Sequence, residues 1–265
     1  MRSRDWSLVF LTVLSQGRIG IVLGLTVLAF SFGVTPGSVV PLFLALLMVW
    51  IATTASFFHL GNPSNAPLAL SNLSGSWLSR EILAIGVFVF LLGVTLLFVW
   101  AGGDNGIARV LLLLASAAGL FLLWAMTRVY LIPTIPPWNH WYTPVSFTAT
   151  TLSLGLLGTL LFTDIGVSGK SLLMGVLALV LVLELLAGFL NQRRLAGLDS
   201  GFDGPVLERG AYFRLYIARM AILFLVCVAA ANGDLTWMYP LSVLVVLQEF
   251  AGRLLFYASY FRVGL

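Results

Sequence analysis

Eight long apolar runs constrain this chain more than anything else in it. They cover residues 7–34, 39–59, 78–101, 107–132, 143–165, 170–191, 211–231 and 236–261. A hydrocarbon core about 30 Å thick is crossed by about 20 apolar residues in a helix, and each run is long enough. The runs are continuous rather than alternating, which selects helices over a barrel. Breakers separate them: Thr35-Pro36-Gly37, Gly61-Asn62-Pro63, Gly102-Gly103-Asp104, the stretch from Pro133 to Pro137, Gly166, the stretch from Gly201 to Pro205, and Asn232-Gly233-Asp234. The first run is too long for a signal peptide and lacks a cleavage pattern. The expected fold is all-α and integral to a membrane: a bundle of eight transmembrane helices, forming one domain over residues 1–265. Composition agrees. The chain is 60% hydrophobic and 9% charged, with a mean hydropathy of +1.04, so a soluble globule and a disordered chain are both excluded.

The polar inventory is small. Cys227 is the single cysteine, so an internal disulfide is excluded, and an iron–sulfur cluster, which takes about four ligands, is not expected. His59 and His140 are the only histidines. Both fall at helix ends, not face to face across a bundle, so no haem and no metal site are expected. The net charge is +4 and the pI about 9.6. No basic–aromatic surface accompanies the excess, so nucleic acid is not an expected partner, and the excess is read as a topology signal.

Eight spans place both termini on one side. That side carries Arg2, Arg4, Arg80, Arg128, Arg193, Arg194, Arg209, Arg214 and Arg262; the other carries Arg109 and Lys170. The positive-inside rule makes the arginine-rich side cytoplasmic. The longer connections, residues 60–77, 133–142 and 192–210, lie there too. Function concentrates in loops on a rigid scaffold. The third connection, with charges of both signs, reads either as a solvated loop or as a docking surface.

Charges inside spans are costly and mark candidate function. Arg18, Glu184, Arg219, Glu249 and Arg253 are such residues. Glu249 and Arg253, spaced i and i+4, share a helix face and can pair. An ionic clamp that fixes helix packing is the simpler reading for Arg18, Arg219, Glu249 and Arg253. Gly20 and Gly24 form a small-xxx-small pair that lets a neighbouring helix approach. His59 ends the second run, and Glu81 opens the third. An imidazole titrates near neutrality, and a half-buried carboxyl is poised to hold a proton, so the two suit a quinone headgroup. The competing reading is a pair of helix-end residues favoured by the helix dipole. The segment from Pro133 to Tyr142 adds Trp138, His140, Trp141 and Tyr142 beside Arg128 and Tyr130. It reads as an interfacial aromatic belt or as a wall for a flat ring.

The residues also carry a family resemblance. Asp5-Trp6-Ser7-Leu8 is followed by Gln16, then His59-Leu60-Gly61-Asn62-Pro63, then Ser76-Trp77-Leu78-Ser79-Arg80-Glu81-Ile82. Arg128-Val129-Tyr130, Pro137-Trp138, Thr143-Pro144 and Arg219 come next, and then the run from Glu249 to Tyr257. In this order and spacing the sequence resembles the membrane anchor subunit of dimethyl sulfoxide reductase and related anchors of molybdopterin oxidoreductase complexes. The resemblance implies an eight-helix anchor without haem or iron–sulfur cluster. Such an anchor binds quinone or quinol (menaquinone or ubiquinone) and holds an iron–sulfur electron-transfer subunit, which serves a molybdopterin catalytic subunit. It places the quinol-site histidine on His59 and its helix-start glutamate on Glu81. Arg80, Gln16, Arg18 and Tyr130 are expected to shape the site, and Trp77 and Trp138 to pack against the ring or the partner. The expected setting is the cytoplasmic (inner) membrane and its lipid. The complex either oxidises sulfite and reduces quinone, or reduces a sulfoxide or oxyanion and oxidises quinol. Two rivals remain at the level of sequence. One is a small-molecule transporter, against which the breakers sit at span ends. The other is a purely structural tether.

Overall fold

The computed structural model describes residues 3–32, 39–57, 70–198 and 209–263. Eight α-helices follow in order among them: α1 (Ser3–Ser31), α2 (Val39–Phe57), α3 (Trp77–Trp100), α4 (Asn105–Tyr130), α5 (Tyr142–Phe162), α6 (Gly166–Leu198), α7 (Arg209–Ala231) and α8 (Met238–Ala258). Seven are long and apolar enough to cross a membrane, and α2 is apolar along Val39–Ala52. Polarity is inverted relative to a soluble protein. Trp100 is 74% exposed and Phe90 69%, whereas Arg18 is 1%, Glu249 1% and Arg253 2% exposed. An outer surface of this kind suits lipid and not water. The protein is a multi-pass membrane protein.

Turn chemistry explains the helix boundaries. Ser76 caps α3, its Oγ accepting from Ser79 N at 3.3 Å. Asp104 caps α4 through Gly106 N at 2.8 Å and Ile107 N at 3.2 Å. Gly102, at φ +73°, makes the reversal just before it. Asp234 caps the 3-10 turn Leu235–Trp237 ahead of α8, and the hydroxyl and N–H of Thr236 hold its carboxyl below the usual range.

Several boundaries differ from the sequence reading: α1 starts at Ser3 and α6 at Gly166, each four residues ahead of its apolar run, and two helix ends differ as well. The sixth apolar run ends at residue 191, but α6 continues to Leu198. Gln192, Arg193, Arg194, Leu195 and Ala196 are good helix formers, so polarity ends the apolar run there without ending the helix. Arg194 fastens the extension by donating to Pro136 O at 2.5 Å. Residues 259–261 were expected in the last helix, but α8 stops at Ala258. Ser259 caps it, and the tail turns to give Val263 N→Thr134 O at 2.9 Å.

α1 is the axis of the bundle, packed against α2, α4, α5 and α8. Its approach to α5 depends on glycine. A Cβ on Gly20 would stand 1.9 Å from Thr151 O and 2.8 Å from Gly155 Cα, and one on Gly24 would stand 2.1 Å from Thr159 Oγ1. The pair expected from sequence to admit a neighbouring helix does so. The amino-terminal half of α1 lies along the carboxy-terminal half of α8, with the Phe10 and Phe250 rings 5.1 Å apart.

Apolar packing divides into two cores. One gathers α1–α4 with Phe147, Phe256 and Tyr257. The other gathers Leu157 and Leu160 with α6, α7 and Met238, Leu241 and Val245 of α8, and it includes Cys227. Both α5 and α8 pass from one core to the other. At the crossover they carry buried polar residues: Thr150, Thr151 and Ser153 on α5, and Gln248, Glu249 and Arg253 on α8.

Replacing Gly20 by Leu forces α1 off α5. The expected loss is about 3 kcal/mol or more, because the obstacle is backbone. Gly86→Ala, whose added Cβ meets nothing within 4 Å, is the control. The thermal unfolding midpoint of the detergent-solubilised protein should fall only for the first variant. Equal midpoints would refute this account of the α1–α5 contact.

Candidate functional site

The start of α3 sorts its residues by direction. Consecutive helix positions point about 100° apart, so Arg80 and Glu81 face different surroundings. Arg80 turns back to the preceding loop, donating from Nε to Leu73 O at 2.8 Å and from Nη2 to Ser74 O at 2.6 Å. Its guanidinium lies 4.2 Å from the centre of the Trp77 ring, and Arg128 approaches the same ring at 5.0 Å. Trp124 meets it edge-on at 4.6 Å. Arg80 and Trp77 thus belong to a cation–π stack on the outside of the α3–α4 pair.

Glu81 turns inward and is 7% exposed. Arg18 of α1 is the charge that faces it, and Tyr130 and Tyr257 are its further electrostatic neighbours. The Arg18 guanidinium lies 5.5 Å from the Phe88 ring centre, and its Nε and Nη1 have no partner among the described residues. The Tyr130 and Tyr257 hydroxyls are 2.6 Å apart. Gln16, just before Arg18 on α1, accepts from Arg253 Nη2 at 2.6 Å, while its own amide nitrogen has no partner among the described residues. Glu81, Arg18, Gln16 and Tyr130 therefore gather from α1, α3 and α4 around the end of α8. His59, the residue expected opposite Glu81, lies outside the described residues.

Trp138 closes this end of the bundle. Its Nε1 donates to Phe256 O at 2.9 Å, and its ring stacks on Phe256 at 5.3 Å. It meets Tyr130 edge-on at 5.5 Å. The aromatic segment is therefore tied into the bundle. Nearby, His140 accepts from Tyr142 N at 3.4 Å. Burial, and then the Arg194 charge, lower its pKa below the usual imidazole value.

The deeper charges extend this cluster. Arg219 of α7 pairs with Glu184 of α6, a clamp between two helices. Glu249 and Arg253, read from spacing as a direct pair, are joined through α5. Thr150 Oγ1 donates to Glu249 Oε2 at 2.7 Å and accepts from Arg253 Nη2 at 3.4 Å. Arg253 also lies 3.9 Å over the Phe147 ring. Thr150, Gln248 and Tyr257 are the participants that sequence reasoning missed. One signal for Tyr257 was available, because Glu249, Arg253 and Tyr257 repeat every four residues and so share one face of α8.

The arrangement has the makings of a headgroup site. It offers a buried carboxyl, guanidinium and amide donors without a partner among the described residues, and an aromatic wall, together at one end of a bundle.

Comparison with known proteins gives the context. The family profile for the DMSO reductase anchor subunit (DmsC) matches residues 1–258. The anaerobic dimethyl sulfoxide reductase chain YnfH of Escherichia coli is 29% identical, over 98% of this protein and 96% of its own length. A second anaerobic dimethyl sulfoxide reductase chain of the same organism is 28% identical over the same shares. A sulfite dehydrogenase subunit of Allochromatium vinosum is 33% identical, but over 38% of this protein and 34% of its own length. With a profile match across nearly its whole length, this multi-pass membrane protein belongs to the DMSO reductase anchor subunit (DmsC) family.

Proposed function

We propose that this anchor exchanges electrons and protons between a membrane quinone and an attached oxidoreductase. The observation that carries the reading is the buried Glu81 carboxyl facing Arg18, whose Nε and Nη1 have no partner among the described residues, with the Tyr130–Trp138–Phe256 aromatics closing the same end. A charged group at such a place in a membrane bundle is expensive unless it has work to do. His59 hydrogen-bonds a carbonyl of the ring and passes a proton. Glu81 is the neighbouring proton acceptor or donor, and Arg18, Gln16 and Tyr130 shape the pocket. Trp138 supports the ring. Arg80 and Trp77, in their outward stack, are better suited to the partner or to lipid headgroups.

The partners are an iron–sulfur electron-transfer subunit and, beyond it, a molybdopterin catalytic subunit. The quinone is menaquinone or ubiquinone, and this anchor supplies neither haem nor cluster. All eight helices span the cytoplasmic membrane as one domain, with both termini on the arginine-rich side. The packing of the start of α1 along the end of α8 supports that topology. The relatives matched over nearly their full length are reductase chains, which favours quinol oxidation and sulfoxide or oxyanion reduction. The partial likeness to a sulfite dehydrogenase subunit favours the opposite direction as a second reading.

In the assembled complex, His59→Ala and Glu81→Gln should each lower quinone-linked turnover by about 10²-fold, the scale of one general acid–base group, and leave dye-linked turnover intact. Loss of both activities, or of neither, refutes the assignment. Topology is read separately. A carboxy-terminal fluorescent reporter that folds only in the cytoplasm should light up, and an alkaline phosphatase fusion at the same place should stay silent. The reverse pattern overturns the orientation.

A further inference from the structure

Between the two apolar cores runs a seam of buried polar groups that starts at the residues assigned to the quinone and extends well beyond them. Its far end is a narrow cleft where Tyr142, Asn191, Gln192, Tyr212 and Tyr216 stand over Arg219. The Tyr212 hydroxyl donates to Gln192 Oε1 at 3.3 Å, and Tyr142 is a hydrogen-bond partner of Arg219. Arg219 donates to Glu184 and, through Nε, to Gln248 O at 3.3 Å. The Gln248 amide bridges the two carboxylates, reaching Glu184 Oε2 at 3.5 Å and Glu249 Oε1 at 2.8 Å. Thr150 links Glu249 to Arg253, and Arg253 reaches Gln16. Tyr257 and Tyr130 then continue to the surroundings of Glu81.

A clamp that served only to hold helices would satisfy its own groups. This seam does not. Ser15 Oγ, Gln16 Nε2, Ser153 Oγ, Asn191 Oδ1, Gln248 Oε1 and the Nε and Nη1 of both Arg18 and Arg253 lack a partner among the described residues. At this depth in a membrane such atoms are tolerated where they line a hydrated path. Carboxyls, a hydroxyl and water in file are also what proton transfer requires.

We propose that the seam is a proton path between the Glu81 end and the cleft above Arg219, with Glu249 and Glu184 as its proton-holding groups. The proposal rests on the quinone reading. Each quinol oxidised releases two protons and two electrons. The electrons leave to the iron–sulfur partner. Each of the two protons enters beside Glu81 and moves along the file of hydroxyls, carboxyls and water, one O–H bond forming as the next breaks, and displaces a proton into the cleft; two protons leave for two electrons, so no charge accumulates. For quinone reduction the same file runs backwards. Arg219, Arg253 and Arg18 stay protonated and offset the carboxylates.

The test uses the purified complex with a soluble quinol. Glu249→Gln keeps the shape, and its amide oxygen can still accept from Gln248, but it holds no transferable proton. It should lower quinone-linked turnover about 10–100-fold, leave dye-linked turnover and quinol-analogue affinity unchanged, and recover in part with millimolar azide or formate, small acids that carry protons past a break. Glu249→Asp should retain most of the activity. An assembled Gln variant with wild-type quinone-linked turnover overturns the path, as does a loss that neither weak acid nor the Asp variant relieves. If the Gln variant does not assemble, Thr150→Val decides by the same readouts: a several-fold slowing lifted by azide supports the path, and an unchanged rate overturns it. Normal turnover in Glu249→Gln alongside dead His59→Ala would remove the path and leave the quinone site standing. Normal turnover in His59→Ala and Glu81→Gln would instead remove the site.

Discussion

Three arginines and three glutamates, Arg18, Arg219, Arg253, Glu81, Glu184 and Glu249, are buried in a bundle whose outer surface is apolar. Everything else in the architecture answers to their cost. An ion moved from water into hydrocarbon without a partner is penalised by several kcal/mol at the least, so each must find opposite charge or hydrogen bonds within the protein. The partners come from distant parts of the sequence. Gln16 of α1 meets Arg253 of α8 across 237 positions, and Glu184 of α6 meets Arg219 of α7. These long-range bonds fix which helices are neighbours and in what rotation. Apolar packing in lipid is too unspecific to fix that by itself, since lipid tails offer similar contacts.

The other requirement is closeness. Polar groups on α1 reach those on α5 and α8 because Gly20, Gly24 and Gly155 let the α1 and α5 backbones touch. The hydroxyls of α5 are partly occupied by their own helix: Thr151 donates to Phe147 O at 2.9 Å, and Thr150 shares its one proton between Ser146 O at 3.0 Å and Glu249 Oε2 at 2.7 Å. They therefore sit inside the bundle without demanding further partners, and remain able to serve a neighbour when one arrives, as Thr150 does for Glu249.

Much of the fold was legible in the sequence, because a 30 Å apolar slab imposes a length that a run of residues displays directly. The Gly102–Asp104 turn and the Gly20–Gly24 approach are local or periodic signals, and the structure carries both. Hydropathy is silent about azimuth and about helix beyond the membrane. Hence the extension of α6 to Leu198 was missed, and Arg80 was grouped with Glu81 although a 100° step separates their directions. The gathering of Glu81, Arg18, Gln16 and Tyr130 followed from the family resemblance more than from spacing. The link from Glu249 to Arg253 through Thr150 could not be read at all, since the third member comes from another helix. His59 lies outside the described residues, so its half of the site rests on the sequence.

The placement of the polar seam follows from the path of two helices. α8 begins in one apolar core with Leu241 and Val245 and ends in the other with Phe256 and Tyr257. α5 makes the same passage from Phe147 to Leu157 and Leu160. A helix that changes cores must cross a boundary where neither core fills the space around it. Polar residues placed there interrupt no apolar packing, so their cost is least at that level. Such a boundary is also where water is most readily retained between two dry regions. A protein that needed buried charge for chemistry and also for helix pairing would place both at that level. Gln248, Glu249 and Arg253 on α8, opposite Thr150 on α5, occupy it.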